Sequence, residues 1–259
     1  MESLSVTLIQ TSQFWEDKAA NLRHFDAHFK TIGKTDLVLL PEMFHTGFSM
    51  NVETLAEDFS DSLAVHWLKD KAIHYQVAIF TSFICKEINR YVNRGLFVYP
   101  DGEMVIYDKR KLFTLAKEEL SFSAGSEEVI VDYKGFKLFL SICYDLRFPE
   151  IQRNEMISEM EAKYDVLLNV ANWPARRSLH WKSLLITRAI ENQCFLVGVN
   201  RVGTDENELE YSGDSVAYSP LGQALSAIEP NKEQVETVVL KKSVLYEVRE
   251  KLNFLKDRG

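Results

Sequence analysis

Three short, mainly apolar runs in this 259-residue chain stop abruptly at polar residues, and each is soon followed by a proline. Asp36–Leu40 leads into Pro41-Glu42-Met43-Phe44, Phe136–Ile142 into CYDLRFPE, and Asp165–Val170 into Ala171-Asn172-Trp173-Pro174. Runs of this length without polar alternation suit strands buried on both faces, as in sheets covered by helices. In such sheets ligands collect beyond the carboxyl ends of strands, where loops hold side chains on a rigid base. A carboxylate, a thiol and an Asn-Trp pair stand at these three ends, so the pattern predicts that they meet in one pocket.

The rest of the chain alternates in the same way. Further strands are predicted over Ser5–Thr11, Gln76–Cys85, Gly95–Tyr99, Met104–Lys109, Cys194–Asn200, Ser215–Ser219 and Gln234–Leu240. Helical spacing covers Asp17–Ile32, Ser62–His74, Pro149–Glu161, Leu179–Asn192 and Lys242–Lys251. Turns are expected at Asp101-Gly102 and Leu221-Gly222. No linker or repeat interrupts the series, so an α/β layered fold in one domain, residues 1–259, is expected.

Charge and cysteine content narrow the function. A net charge of −8 argues against binding to a nucleic-acid backbone. No apolar run is long enough to span a bilayer, and the opening MESLSVTLIQ reads as a strand and not as a leader. The cysteines Cys85, Cys143 and Cys194 are odd in number and irregular in spacing, which suits a reducing compartment and predicts the cytoplasm. His24 and His28 are four residues apart, but on an amphipathic helix they read as surface, so no metal site is expected.

Cys143 reads as a nucleophile where a strand gives way to a turn, or as a small buried hydrophobe; Cys85 and Cys194 read as core. Glu42 is a candidate proton carrier or a structural hydrogen-bonding carboxylate. Lys109 either stabilises an oxyanion or belongs to a solvated basic cluster with Arg110 and Lys111. His180, at a helix start, offers a weak case for a Cys-His pair. Neither a phosphate-cradling glycine loop nor a G-x-S-x-G elbow is present.

The segments LPEMF, YDKRKLF and SICYDLRFPE together resemble, in order and spacing, the Glu, Lys and Cys motifs of the nitrilase superfamily of carbon–nitrogen hydrolases. The stretch Ala171–Gly203 is most similar to its omega-amidase branch, which hydrolyses terminal amides of 2-oxo dicarboxylic acid monoamides. This resemblance implies a four-layer αββα sandwich, Glu42 as general base, Lys109 at the tetrahedral intermediate and Cys143 as nucleophile. It implies a second glutamate at Glu118, with Glu119 as the alternative, and the backbone N–H of Tyr144 as an oxyanion donor. Lys111 stands where the family has histidine, a departure that can alter packing or charge beside Lys109.

No metal or organic cofactor is implied. At least a homodimer is, with residues 242–259 as a C-terminal extension reaching across it; taken alone, that segment reads as a surface helix. Arg176 and Arg177 are candidates for a substrate carboxylate, and Phe44 and Trp173 for apolar walls. Arg147 is either a third such cation or the partner of Glu150. Rival readings are another nitrilase-branch amidase, an N-carbamoyl amino acid hydrolase, or a catalytically silent scaffold.

Overall fold

The computed structural model describes residues 2–159 and 161–258. In chain order its main elements are β1 (Ser3–Gln10), α1 (Lys18–Phe29), β2 (Leu37–Leu39), α2 (Val52–Leu55), β3 (Glu57–Asp58), α3 (Leu63–Tyr75), β4 (Ala78–Glu87), β5 (Arg90–Val98) and β6 (Met104–Asp108). There follow β7 (Ile130–Tyr133), β8 (Phe136–Ile142), β9 (Val166–Ala171), α4 (Ser178–Glu191), β10 (Phe195–Asn200), β11 (Val202–Thr204), β12 (Glu210–Ser212), β13 (Val216–Tyr218), β14 (Gln234–Lys241) and α5 (Lys242–Leu252).

Two mixed sheets result. One runs β14-β1-β2-β4-β5-β6, with β3 beside β4, and the other runs β13-β10-β9-β8-β7. Val6, Leu37, Phe80 and Phe97 of the first sheet and Leu138, Leu140, Val166 and Leu168 of the second belong to one fully buried apolar core. A separate core joins the other face of the first sheet (Ile9, Val38, Ile79) to Phe25 and Phe29 of α1 and to Ala64 and Leu68 of α3. On the second sheet α4 approaches so closely that a Cβ on Gly198 would meet Leu185 at 2.8 Å. The order of layers is therefore helix, sheet, sheet, helix.

β1, β2 and β4 are parallel, and two antiparallel steps through β5 bring β6 into the same direction. β8, β9 and β10 are parallel as well. Within each sheet, therefore, the strands that precede the polar segments leave at a shared end. At the opposite end of the second sheet, Arg249 of α5 bonds Asp165 at 2.8 Å and the Gln193 carbonyl at 3.0 Å, and Arg258 bonds the Asn154 carbonyl at 2.7 Å.

The predicted helix Pro149–Glu161 is not formed: among its described residues only the single turn Pro149–Ile151 is helical. The buried Asn154 explains the break. Its side chain donates to the Tyr164 and Asn192 carbonyls and accepts from the Glu155 and Tyr164 N–H groups, replacing helical hydrogen bonds with its own. Elsewhere the predicted elements form, most with small shifts at their ends and β5 starting five residues before the expected Gly95, while α2, β3, β7, β11 and β12 are additions.

Candidate active site

Glu42, Lys109 and Cys143 each follow a strand end, and two of these ends carry backbone strain. Met43, just after Glu42, has φ 46°, and Cys143 has φ 44°. Both are non-glycine residues in the left-handed region, which persists only where surrounding contacts over-determine it. Around Cys143 those contacts come from Asp145. Its buried carboxylate accepts hydrogen bonds from the Ile142 N–H at 2.9 Å, the Lys111 N–H at 2.8 Å and the Tyr107 hydroxyl at 2.7 Å.

Lys109 is 1% exposed, and its ammonium donates to Glu42 Oε1 at 2.9 Å and to both Glu118 oxygens at 2.9 Å. Burial opposes its charge, but Glu118 and Glu42 outweigh that and raise its pKa further above the usual lysine range. It is therefore a fixed cation. Glu118, not Glu119, makes this contact: Glu118 is fully buried and also accepts from the Phe113 N–H at 2.6 Å, whereas Glu119 is exposed. Burial and then the neighbouring Glu42 hold the Glu118 carboxyl above its ordinary pKa, against the pull of Lys109.

Glu42 is fully buried, and its carboxylate is held at both oxygens. Oε1 accepts from Asn93 Nδ2 at 2.8 Å in addition to Lys109, and Oε2 accepts from the Asn172 N–H at 2.9 Å. The Asn172 side chain and Gln13 donate to the Glu42 carbonyl at 2.5 and 3.1 Å. The Cys143 thiol, largely buried at the cleft floor, contacts the Asn172 carbonyl at 3.9 Å. Burial first, and the Glu42 carboxylate second, push the Cys143 pKa well above the ordinary thiol value, with Lys109 opposing. At neutral pH it rests as a thiol and needs a base to become a nucleophile. No histidine is hydrogen-bonded to Cys143 among the described residues; His180 lies in the first turn of α4 and contacts Arg147 at 3.2 Å.

A cleft of about 390 Å³ opens over Cys143 and Tyr144. Trp173 forms part of its wall, and its indole donates to the Arg177 carbonyl at 2.9 Å. Phe44 does not reach the cleft. After the turn at Met43 its ring points into the core against Phe25, His45 and Trp67. The wall position belongs to Phe48, whose ring also lies 5.2 Å from the Lys109 ammonium.

Arg147, Arg176 and Arg177 all line the cleft, and among the described residues no carboxylate pairs with any of them. Burial, followed by repulsion from Arg176 and Arg147, lowers the pKa of Arg177, so this wall is electropositive. The expected Arg147–Glu150 pair is absent. Arg147 stacks 4.6 Å over Trp173, while Glu150 faces Lys111 at 3.6 Å. The Lys111 ammonium, 4.7 Å over Phe148, lies outside the Glu42–Lys109–Cys143 cluster, and only its backbone N–H reaches the Asp145 carboxylate beside it. Cys85 and Cys194 are buried core residues, with pKa values pushed up to about 11 and about 12, in both cases first by burial.

Sequence reasoning passed over Asn93, Gln13, Phe48 and Tyr211, the last of which lines the cleft. Asn93 sits inside a strand hairpin and is brought to Glu42 only by sheet pairing, so no local signal marks it.

A buried thiol beside a carboxylate and an ammonium, in place of an imidazole, suits a nucleophilic cysteine enzyme distinct from those built on histidine. The profile of the carbon–nitrogen hydrolase family matches residues 5–250, and the chain belongs to that family. It is 41% identical over 251 residues to omega-amidase YafV of Escherichia coli (strain K12), covering 97% of this chain and 95% of that protein. It is also 37% identical over 194 residues to the 2-oxoglutaramate amidase of Bacillus subtilis (strain 168), covering 74% and 73%. Among solved structures, the superfamily protein XC1258 of Xanthomonas campestris, which carries an arsenic adduct in its active site, superposes with a TM-score of 0.95. It shares 40% identity and covers 100% of this chain and 98% of that one.

Proposed function

We propose that the chain is an omega-amidase hydrolysing the terminal amide of 2-oxo dicarboxylic acid monoamides, 2-oxoglutaramate and 2-oxosuccinamate, to the 2-oxo diacid and ammonia. The observation that carries this reading is the pairing of a buried Glu42–Lys109–Cys143 cluster with a cleft wall of three arginines lacking carboxylate partners. The cluster suits amide chemistry, and the arginines suit a carboxylate at the far end of the substrate.

In this reading Glu42 takes the thiol proton as Cys143 Sγ bonds to the amide carbon. The resulting oxyanion is held by Lys109 and by the backbone N–H of Tyr144, second in the turn Cys143–Arg147, where N–H groups lack helical acceptors. Glu42 then gives its proton to nitrogen, the carbon–nitrogen bond breaks, and ammonia leaves a thioester. Water, deprotonated by Glu42, attacks the thioester; the 2-oxo diacid departs and the thiol is restored. Glu118 fixes Lys109 throughout. Trp173 walls the cleft while Arg176 or Arg177 holds the carboxylate.

The chain acts as one domain, residues 1–259, in the cytoplasm and as at least a homodimer. Tyr246 and Phe254, each more than half exposed, support residues 242–259 as part of that contact.

The test is ammonia release from 2-oxoglutaramate, N-carbamoyl-β-alanine, a simple aliphatic amide and a nitrile, for wild type and Cys143→Ala. Preference for the oxo-acid amide, lost in the variant, supports the proposal. Activity confined to another amide overturns the substrate, and silence on all four favours a scaffold.

A further inference from the structure

His24 and His28 are not the solvated helix surface that their spacing suggests. Both rings are partly buried on the face of α1 that packs beside the end of β1, and they stand edge to face at 4.7 Å. Their Nε2 atoms are 3.4 Å apart, and Glu233 Oε1, just before β14, lies 3.4 Å from His24 Nε2. The ligating atoms of His24, His28 and Glu233 all fall within 4.8 Å of one another. None of the three residues lines the cleft over Cys143.

We propose that His24, His28 and Glu233 bind a divalent late first-row transition-metal ion, zinc in the first instance, at a site separate from the amidase cleft. Two imidazoles and a carboxylate are the donor set such ions favour, and histidines four apart present both rings to one ion. A tetrahedral zinc bonded at about 2.0–2.1 Å sets neighbouring ligand atoms about 3.3–3.4 Å apart. Two of the three separations, 3.4 Å each, are edges of that size, and the third lies within 4.8 Å.

Without metal the histidines are bridged by Thr11 Oγ1, at 2.6 and 2.8 Å from the two Nε2 atoms. One hydroxyl can donate to one ring and accept from the other, so the metal-free fold needs no ion. Loading requires that this hydroxyl turn aside and that Glu233 Oε1, which accepts from the Ser12 N–H at 3.0 Å and the Ser12 hydroxyl at 2.5 Å, turn from Ser12 toward the ion or share its lone pairs with it. Bound metal would tie α1 to the residues before β14. Phe14, which packs edge-on to His24 at 5.5 Å, leads directly into Trp15 of the cleft wall.

The test is zinc titration of the full chain in the Cys143→Ala background, which removes the cleft thiol as a competing ligand, with calorimetric binding and thermal unfolding as readouts. The expected result is one zinc per chain and a raised unfolding temperature. His24→Ala and His28→Ala should each weaken binding by at least about tenfold, and Glu233→Gln should weaken it measurably. Unfolding in chelator shows whether each variant keeps its fold; if a histidine variant does not, Glu233→Gln decides. Zinc bound equally well by the folded variants, or no zinc bound by the parent, overturns the proposal.

Discussion

Transfer of the Cys143 proton to Glu42 leaves the buried cluster with an unchanged charge, whereas its loss to solvent would add a second uncompensated negative charge beside Glu42 and Glu118. That difference favours the internal base of the proposed mechanism, and it accords with the strongly raised thiol pKa. Cys143→Ala should therefore abolish ammonia release while leaving the unfolding temperature near that of wild type. Asn93 donates to the same Glu42 oxygen as Lys109. A hydrogen bond to a charged group contributes about 1.5–3 kcal/mol, so Asn93→Ala should lower kcat about 10- to 100-fold with little change in KM. Arg177→Ala should do the reverse, raising KM for a 2-oxo acid amide several-fold more than for an uncharged amide. An equal rise for both substrates would remove Arg177 from the carboxylate site.

Elements deliver these groups through close backbone contacts. Gly125 N–H donates to the Lys109 carbonyl at 2.9 Å, and a Cβ on Gly125 would meet the Asp108 carbonyl oxygen at 2.3 Å. Overpacking of this kind costs about 1–3 kcal/mol, so Gly125→Ala should lower the unfolding temperature and, by displacing Lys109, the activity as well. On the far side of the first sheet, Glu57 joins the start of α3 to the neighbouring loop. Burial alone would raise its pKa, but hydrogen bonds from His45, the Ala64 N–H and Lys18 hold it well below the carboxylate range. A depressed carboxylate stabilises the fold above its unfolded pKa and loses that contribution as pH falls through the lower folded value. The unfolding temperature should therefore decline below about pH 4.5, from the ordinary pKa of glutamate, and the decline should be shallower in Glu57→Gln.

For the whole molecule, light scattering should give at least twice the chain mass of 29.9 kDa. Tyr246→Glu together with Phe254→Glu should halve the assembly if the C-terminal segment forms the contact. That segment also docks on its own chain, where Arg249 and Arg258 meet Asp165 and the Asn154 and Gln193 carbonyls. A monomeric variant that remains folded would separate these two roles.

Much of the fold and of the reactive cluster is legible in the residues themselves. Buried strands, their polar ends and the positions of Glu42, Lys109 and Cys143 follow from periodicity and from the resemblance of three ordered motifs. A two-state reading of apolar and polar residues suffices where an element lies along the chain. It fails where the partner is remote in sequence. Asn93 reaches Glu42 across 51 positions, Asn172 across 130, and Glu233 nears His24 across the whole domain. The same limit explains Phe44, whose composition suits a cleft wall but whose ring follows the Met43 turn into the core. It also explains Asn154, whose capture of distant carbonyls broke a helix that the local pattern favoured. The sequence alone thus determined the strands and the polar groups at their ends, because these depend on local patterning, and its three ordered motifs singled out the candidate reactive groups. Which side chains orient those groups, and which face inward, was decided only by tertiary structure, because sheet pairing sets those contacts.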